Sequence, residues 1–152
     1  MIAEQQVVRI AYDVIQSVRV GCLATVAPDG QPYQRYLAVV PSDESLQWLY
    51  SISAQATRKV EHLREHRDVS WIFGSPPYAD VVTLHGRAVV QPTVEIPDWV
   101  YNLLIETASV YAVGAMTDPH YHYEAIVTQV EAIELLSPGR GLTAPQRVAP
   151  LP

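Results

Sequence analysis

The sequence is poor in cysteine. Cys22 is the single cysteine among 152 residues, so the chain cannot form an internal disulfide. A lone thiol is typical of proteins kept in a reducing compartment. The N-terminal residues include charged and amide side chains where a signal peptide would have an unbroken apolar stretch, and these features together predict a cytoplasmic protein. We expect Cys22 itself to be a small buried residue of a strand.

Long apolar runs and an excess of positive charge are also absent from the sequence. No apolar run approaches the ~20 residues that a membrane-spanning helix needs, so no contact with a membrane is predicted. The net charge is −6, which argues against nonspecific binding to nucleic acid, because such binding requires a broad basic surface. With 49% hydrophobic and 17% charged residues, the composition is that of a globular chain with one core.

The first half of the chain predicts one helix and three strands. Residues 22–26 and 33–40 flank Asp29-Gly30, a strong hairpin signal because glycine adopts a positive φ without steric cost. Residues 46–53 form the third expected strand, and short turns join the three into a meander. Before them, apolar residues recur at three- and four-residue spacing and predict an amphipathic helix; they are Val7, Ile10, Ala11, Val14, Ile15 and Val18.

The second half predicts two more helices and three more strands. A helix is expected at residues 57–66, strands at residues 69–73 and 79–90, a helix opened by Pro97, and a sixth strand at residues 122–136. In the sixth strand, the expected core face is formed by Ile126, Thr128, Val130 and Ala132. Six antiparallel strands with inserted helices predict an antiparallel β-barrel with added α-helices, an α+β fold.

The chain is expected to form one domain over residues 1–136. Residues 137–152 contain four prolines and two glycines and show no periodicity. They predict a proline-rich C-terminal tail that either packs on the domain or stays mobile.

Two cations at a helix start are the most informative polar feature. Arg58 and Lys59 follow Thr57 in the first turn of the second helix, where the helix dipole disfavours positive charge. A bound anion would resolve this conflict, with Thr57 either capping the helix or donating its hydroxyl to the anion. Arg35 would join them if the second strand lies beside the third. The alternative is a solvated helix start whose cations reach water or Glu61.

The order of several short motifs resembles a known family. This order is similar to that of the pyridoxamine-phosphate-oxidase-like FMN-binding split barrels, in particular their short, general-stress-protein-like members. The matching segments are Gly30-Gln31-Pro32, Arg35-Tyr36-Leu37, Ser53, Thr57-Arg58-Lys59 and His85-Gly86-Arg87-Ala88-Val89-Val90. The resemblance implies a six-stranded split barrel that binds FMN.

The resemblance also implies roles for individual residues. Arg35, Arg58 and Lys59 would hold the FMN phosphate, while the backbone of Tyr36 and Leu37 would contact the flavin body. The hydroxyl of Ser53 would also contact the flavin. Members of the family are typically homodimers with the flavin at the subunit interface, so segments after Trp99 would complete the partner's site.

The sequence departs from the family where vitamin B6 oxidases bind substrate. Residues 38–40 are Ala-Val-Val where a basic residue is expected, and Val81 replaces a glutamine. The expected C-terminal Arg-x-His motif is absent, leaving Arg140 and Arg147. The resemblance therefore implies an FMN-dependent oxidoreductase acting on an unassigned small molecule, without B6 oxidation. The alternative is a module or redox sensor that binds flavin, haem or a deazaflavin without turnover.

Other polar clusters allow weaker interpretations. Asp118, His120, His122 and Glu124 have the residue types of a metal site, but they also suit a polar loop that borders the flavin pocket.

Three further histidines have predominantly structural interpretations. His62 and His66 share a helix face among charged neighbours, which favours solvated surface. His85 is expected to be a barrel histidine with a satisfied hydrogen bond.

Overall fold

The computed structural model describes residues 1–108 and 122–152. In these residues the chain forms three α-helices and eight β-strands. The helices are α1 (Glu4–Val18), α2 (Arg58–Glu65) and α3 (Asp98–Thr107). The strands are β1 (Val20–Val26), β2 (Pro32–Ala38), β3 (Val40–Pro41), β4 (Trp48–Ala54), β5 (Asp68–Phe73), β6 (Val81–Pro92), β7 (Tyr123–Ser137) and β8 (Leu142–Val148).

The strands form one antiparallel, barrel-like sheet. Its order is β2-β1-β5-β6-β7-β4-β3, with β8 paired to β7. The two ends of this path, β2 and β3, are separated in sequence by Val39 alone, so the chain itself connects the two edges of the sheet. The prediction of an antiparallel barrel with helices inserted after the third and fifth expected strands is confirmed. The described residues contain eight strands rather than six.

One of the additional strands arises because the expected second strand is divided. β2 pairs with β1, placing Tyr36 opposite Cys22, whereas β3 pairs with β4 and places Val40 opposite Tyr50. Between them, the Val39 amide donates a hydrogen bond of 2.9 Å to the Arg19 carbonyl. The predicted β1–β2 hairpin is present, but β2 and β4 are not hydrogen-bonded neighbours.

The other additional strand lies in the proline-rich segment. β8 pairs with β7, with Val148 opposite Ile133, and both Leu142 and Val148 are buried. Pro145 is tolerated because, among the described strands, β8 pairs on one side with β7 and on the other side with none, so its missing N–H interrupts no second ladder. The C-terminal segment therefore packs on the barrel.

A β-bulge changes which residues of β7 face the core. Gly86 pairs with Val130 and His85 with Ala132, so Glu131 is an extra residue in β7. Ile126 and Val130 belong to the main core as predicted, and Thr128 is fully buried. After the bulge the main core takes Ile133 and Leu135, because one extra residue reverses the alternation. Ala132 is buried as predicted, but outside this main cluster.

The core has two parts. The main one lies between α1 and the barrel: Val7, Ala11 and Ile15 of the predicted helical stripe are fully buried there, with Trp71 and Phe73 stacked nearby. The second lies under α3 and is formed by Val40, Ile52, Ile96, Val100, Leu104, Ala125 and Val127. Cys22 belongs to neither and is half-exposed, which corrects the expectation that it is buried. Gly21 and Leu23 take the inward positions of β1, so strand alternation directs Cys22 outward.

Candidate functional site

A cavity of about 610 Å³ lies where β1, β2 and β4 meet α2 and the end of α3. This volume is within the range of about 300–1,000 Å³ that is usual for cofactor and ligand sites. The described residues that line it are Val20, Arg35, Tyr36, Leu37, Ala38, Ile52, Ser53, Ala54, Lys59, Thr107, Ala108 and Tyr123. The lining combines an apolar wall with two cations.

Five of the seven predicted site residues line this cavity: Arg35, Tyr36, Leu37, Ser53 and Lys59. Thr57 and Arg58 do not. Thr57 Oγ1 is 2.9 Å from Ser53 Oγ, so Thr57 contacts a residue of the cavity wall. The Arg58 guanidinium lies 4.8 Å from the centre of the Tyr33 ring, a cation–π contact at the surface.

The turn between β4 and α2 places Lys59 at the cavity. Ala56 has a φ of 57°, a left-handed conformation that reverses the chain directly after β4. Thr57 occupies the N-cap position but makes no side-chain cap hydrogen bond. The predicted capping role of Thr57 is therefore not observed, since its hydroxyl is directed to Ser53 instead.

The three basic residues lack an acidic partner in the part of the chain that the structure describes. Among residues 1–108 and 122–152, no carboxylate forms a salt bridge with Arg35, Arg58 or Lys59. Burial lowers the pKa of Lys59, and the nearby Arg35 lowers it further. Burial is also the main cause of the lowered pKa of Arg35; Cys22 opposes this effect and Arg58 adds to it. A bound anion would compensate this concentration of positive charge.

His62 is a residue of this region whose environment the sequence did not reveal. It is 5% exposed, whereas His66 is exposed, so the interpretation of both as solvated surface is wrong for His62. Its Nδ1 lies 3.0 Å from the hydroxyl of fully buried Thr25. The only indication of burial in the sequence was its position beside Leu63, which was expected to face inward. The charged neighbours of His62 favoured a solvated surface instead. Burial lowers the pKa of His62, and Arg35 and Arg58 contribute in the same direction.

The remaining histidine clusters lie elsewhere or only partly within the described residues. His85 Nε2 is 2.9 Å from Glu134 Oε2, which confirms a satisfied barrel histidine, and this bond is the main cause of the lowered pKa of Glu134. Asp118 and His120 of the suggested metal set lie outside the described residues. In the part of the chain that is described, no group of three or more His, Cys, Asp or Glu residues is arranged to hold a metal.

The positions that would bind a B6 substrate offer no free cation in the described residues. Ala38 lines the cavity, and Val39 and Val40 are buried in the core. Arg140 pairs with Asp80 at 3.6 Å and Arg147 with Glu134 at 3.4 Å.

None of the α-helices within the described residues has the length and hydropathy of a membrane span.

Similarity to solved structures agrees with this fold. A general stress protein 26-related protein of the pyridoxinephosphate oxidase family from Clostridium acetobutylicum superposes with a TM-score of 0.71 at 13% identity, covering 97% of this chain and 96% of that one. An FAD-binding protein from Mesorhizobium loti gives 0.62 at 23% identity, covering 83% and 91%. A haem-binding protein from Mycobacterium smegmatis gives 0.68 at 17% identity, covering 94% of this chain and 57% of that one.

The sequence itself also matches a family model. The comparison with curated proteins gave no match. The family model described as pyridoxamine 5'-phosphate oxidase matches residues 11–136, which include every strand from β1 to β6 and nearly all of β7. The chain therefore belongs to the pyridoxamine 5'-phosphate oxidase family.

Proposed function

We propose that this protein binds FMN and acts as an FMN-dependent oxidoreductase on a small molecule other than a B6 vitamer. The observation that carries the proposal is the pair of cations, Arg35 and Lys59, that line the cavity without an acidic partner in the described residues. A phosphate dianion would be held there by charge-assisted hydrogen bonds, with Arg35 able to donate from two nitrogens. Thr57 and Arg58 precede Lys59 in the sequence, and Thr57 contacts the lining residue Ser53.

The rest of the cavity suits an aromatic ring system. Val20, Leu37, Ala38 and Ile52 supply an apolar wall, and Ser53 also lines the cavity. Bound FMN would supply the hydride or single-electron transfer. The chain's own residues would bind and orient the flavin and exclude water from one face. No basic residue is present at Ala38 to hold a second phosphate, which argues against B6 oxidation.

The cavity favours a flavin over haem. The structural neighbour from Mesorhizobium loti binds FAD, whereas the one from Mycobacterium smegmatis binds haem. A haem iron needs an axial ligand, and the described lining contains no histidine, cysteine or methionine, leaving only the phenols of Tyr36 and Tyr123. A second cavity, of about 320 Å³ near Asp13 and Asp80, is a poor phosphate site because Arg140, the one cation in its described lining, already pairs with Asp80.

The absorption spectrum of the purified protein tests the cofactor. If the protein is purified with its cofactor, we expect flavin absorption bands in the near-ultraviolet and in the blue. If it is purified without cofactor, we expect added FMN to lose fluorescence on binding and to raise the melting temperature of the protein. A Soret band would instead support haem, and a colourless protein that ignores added FMN would contradict the proposal. Anaerobic NADH or NADPH then separates the two flavin roles: bleaching followed by turnover with an acceptor supports the enzyme, and binding without turnover supports a redox sensor.

The site is proposed to be completed by a second copy of the chain. Tyr36 is 78% exposed and Val20 39% exposed although both border the cavity. Large apolar side chains around a cavity mouth are typical of surfaces covered by a partner. We expect sedimentation velocity at micromolar concentration to give twice the mass of one chain. A monomer that still binds FMN tightly would contradict this arrangement.

We also propose that the protein is cytoplasmic, which its single free thiol, Cys22, supports.

A further inference from the structure

A chain of hydrogen bonds connects the cavity cation Arg35 to a buried histidine. Arg35 Nη1 donates to the Leu23 carbonyl at 3.2 Å, the Tyr33 carbonyl at 3.2 Å and Thr25 Oγ1 at 2.7 Å. In the described residues, all hydrogen bonds of the Arg35 side chain start from Nη1, so Nη2 and Nε keep their hydrogens for a ligand. One edge of the guanidinium is therefore fixed to the barrel, and the other is available to an anion.

The direction of the bond between Thr25 and His62 follows from donor inventory. Arginine only donates, so Thr25 Oγ1 accepts from Arg35. Thr25 is fully buried, and within the described residues the acceptor placed to receive its own hydrogen is His62 Nδ1, 3.0 Å away. We therefore assign Thr25 as the donor to His62, which corresponds to a neutral imidazole with its proton on Nε2. Burial, Arg35 and Arg58 all lower the pKa of His62, which favours that neutral form near pH 7.

His62 also belongs to the helix that carries the second cavity cation. Lys59 and His62 are three residues apart on α2, and the His62 ring packs at 5.2 Å from the Tyr33 ring of β2. The contacts from His62 to Thr25 and Tyr33 therefore join α2 to the β1–β2 hairpin. Lys59 and Arg35 are carried by the two elements that these contacts join.

We propose that His62 is a positioning residue of the anion site: acting through Thr25, it holds Arg35 at a fixed distance from Lys59 with one guanidinium edge directed to the phosphate. This inference rests on the proposed function, because the anion is taken to be the phosphate of FMN. It differs from a packing role in one respect. A histidine that only fills space would affect every ligand equally, whereas a residue that orients Arg35 affects only ligands that carry a phosphate.

The ratio of FMN to riboflavin affinity tests this distinction. Riboflavin has the same ring system without the phosphate, so it reports the cavity without the anion site. We expect Thr25→Val and His62→Phe, which keep volume but remove the hydroxyl and Nδ1, to weaken FMN binding about 5- to 10-fold, the effect of one net hydrogen bond. Riboflavin binding should change less than about 2-fold.

Conservative variants and the double mutant complete the experiment. Thr25→Ser and His62→Asn keep the hydroxyl and an acceptor near Nδ1, and should retain FMN affinity within about 3-fold of the wild type. The double variant T25V/H62F should bind FMN no more than about 2-fold more weakly than the weaker-binding single variant, because both substitutions remove the same linkage.

Equal losses of affinity for FMN and riboflavin would overturn the inference, as would unchanged FMN affinity. Wild-type protein that binds neither ligand would instead overturn the proposed function, and the inference with it. If H62F fails to fold, His62→Leu takes its place in the comparison with His62→Asn, because leucine also lacks an acceptor at the Nδ1 position.

Discussion

Replacing both Arg35 and Lys59 with alanine should lower the affinity for FMN by at least about 100-fold. Each cation lines the cavity without a carboxylate partner in the described residues, so each is free to bind the phosphate. Hydrogen bonds to charged groups contribute about 1.5–3 kcal/mol each, and the loss of two corresponds to at least about two orders of magnitude in Kd. Fluorescence titration of FMN against the purified variant measures the effect.

A second double variant controls for total charge. Arg64 and Arg67 are exposed cations near the end of α2, and neither lines the cavity. R64A/R67A also removes two positive charges. We expect this variant to bind FMN within about 3-fold of the wild type, because exposed charges are screened by salt. Comparable losses in the two double variants would show that the net charge of the surface, rather than the cavity pair, controls binding. Thermal unfolding of each variant distinguishes lost binding from lost structure.

Gly86→Ala should destabilise the protein by about 3 kcal/mol or more, because overpacking against backbone cannot be relieved by a rotamer change. A Cβ at Gly86 would overlap the Gln129 carbonyl oxygen and lie 3.1 Å from the Val130 Cα. Both are backbone atoms of β7 at the bulge, so relief requires separating β6 from β7. For a domain of this size, we expect a melting temperature lower by about 10 °C.

Gly139→Ala is the matched control for this substitution. A Cβ at Gly139 would meet no atom within 4 Å, and Gly139 lies in a turn outside the sheet. Its melting temperature should therefore stay within about 2 °C of the wild type, since surface changes without new contacts are worth about 0.5 kcal/mol or less. A Gly86→Ala protein as stable as the Gly139→Ala protein would mean that the two strands can separate locally at the bulge.

Periodicity in the sequence predicted most of the fold because burial leaves a regular pattern. The stripe of α1 from Val7 to Ile15 and the hairpin turn at Gly30, where φ is 88°, agree with the structure. β3 and β8 were not recognised for different reasons. β3 contains only two residues, too few to show alternation, and β8 contains Pro145, which usually argues against a strand. The bulge at Glu131 likewise has no local signal, since it is defined by the partner strand.

The residues of the candidate site could be predicted only where neighbouring residues in the sequence already indicate their role. Lys59 was recognisable because a cation in the first turn of a helix opposes the helix dipole. Thr25 and His62 were not, because the sequence places them 37 residues apart and only the barrel brings them together. A threonine in a strand and a histidine among charged residues have ordinary structural explanations, so tertiary contacts were needed to connect them with Arg35.

The pairing of β7 has a consequence for how the protein is made. β6 borders it along one edge, while β4 pairs with its other edge up to Gln129 and β8 from Ile133. β4 and β6 therefore have no β7 neighbour until residues 123–137 have left the ribosome. Unpaired edges of apolar strands are prone to association with other chains. The nascent chain thus has a vulnerable interval in which a chaperone would be most effective, and that interval ends when β7 inserts between β4 and β6.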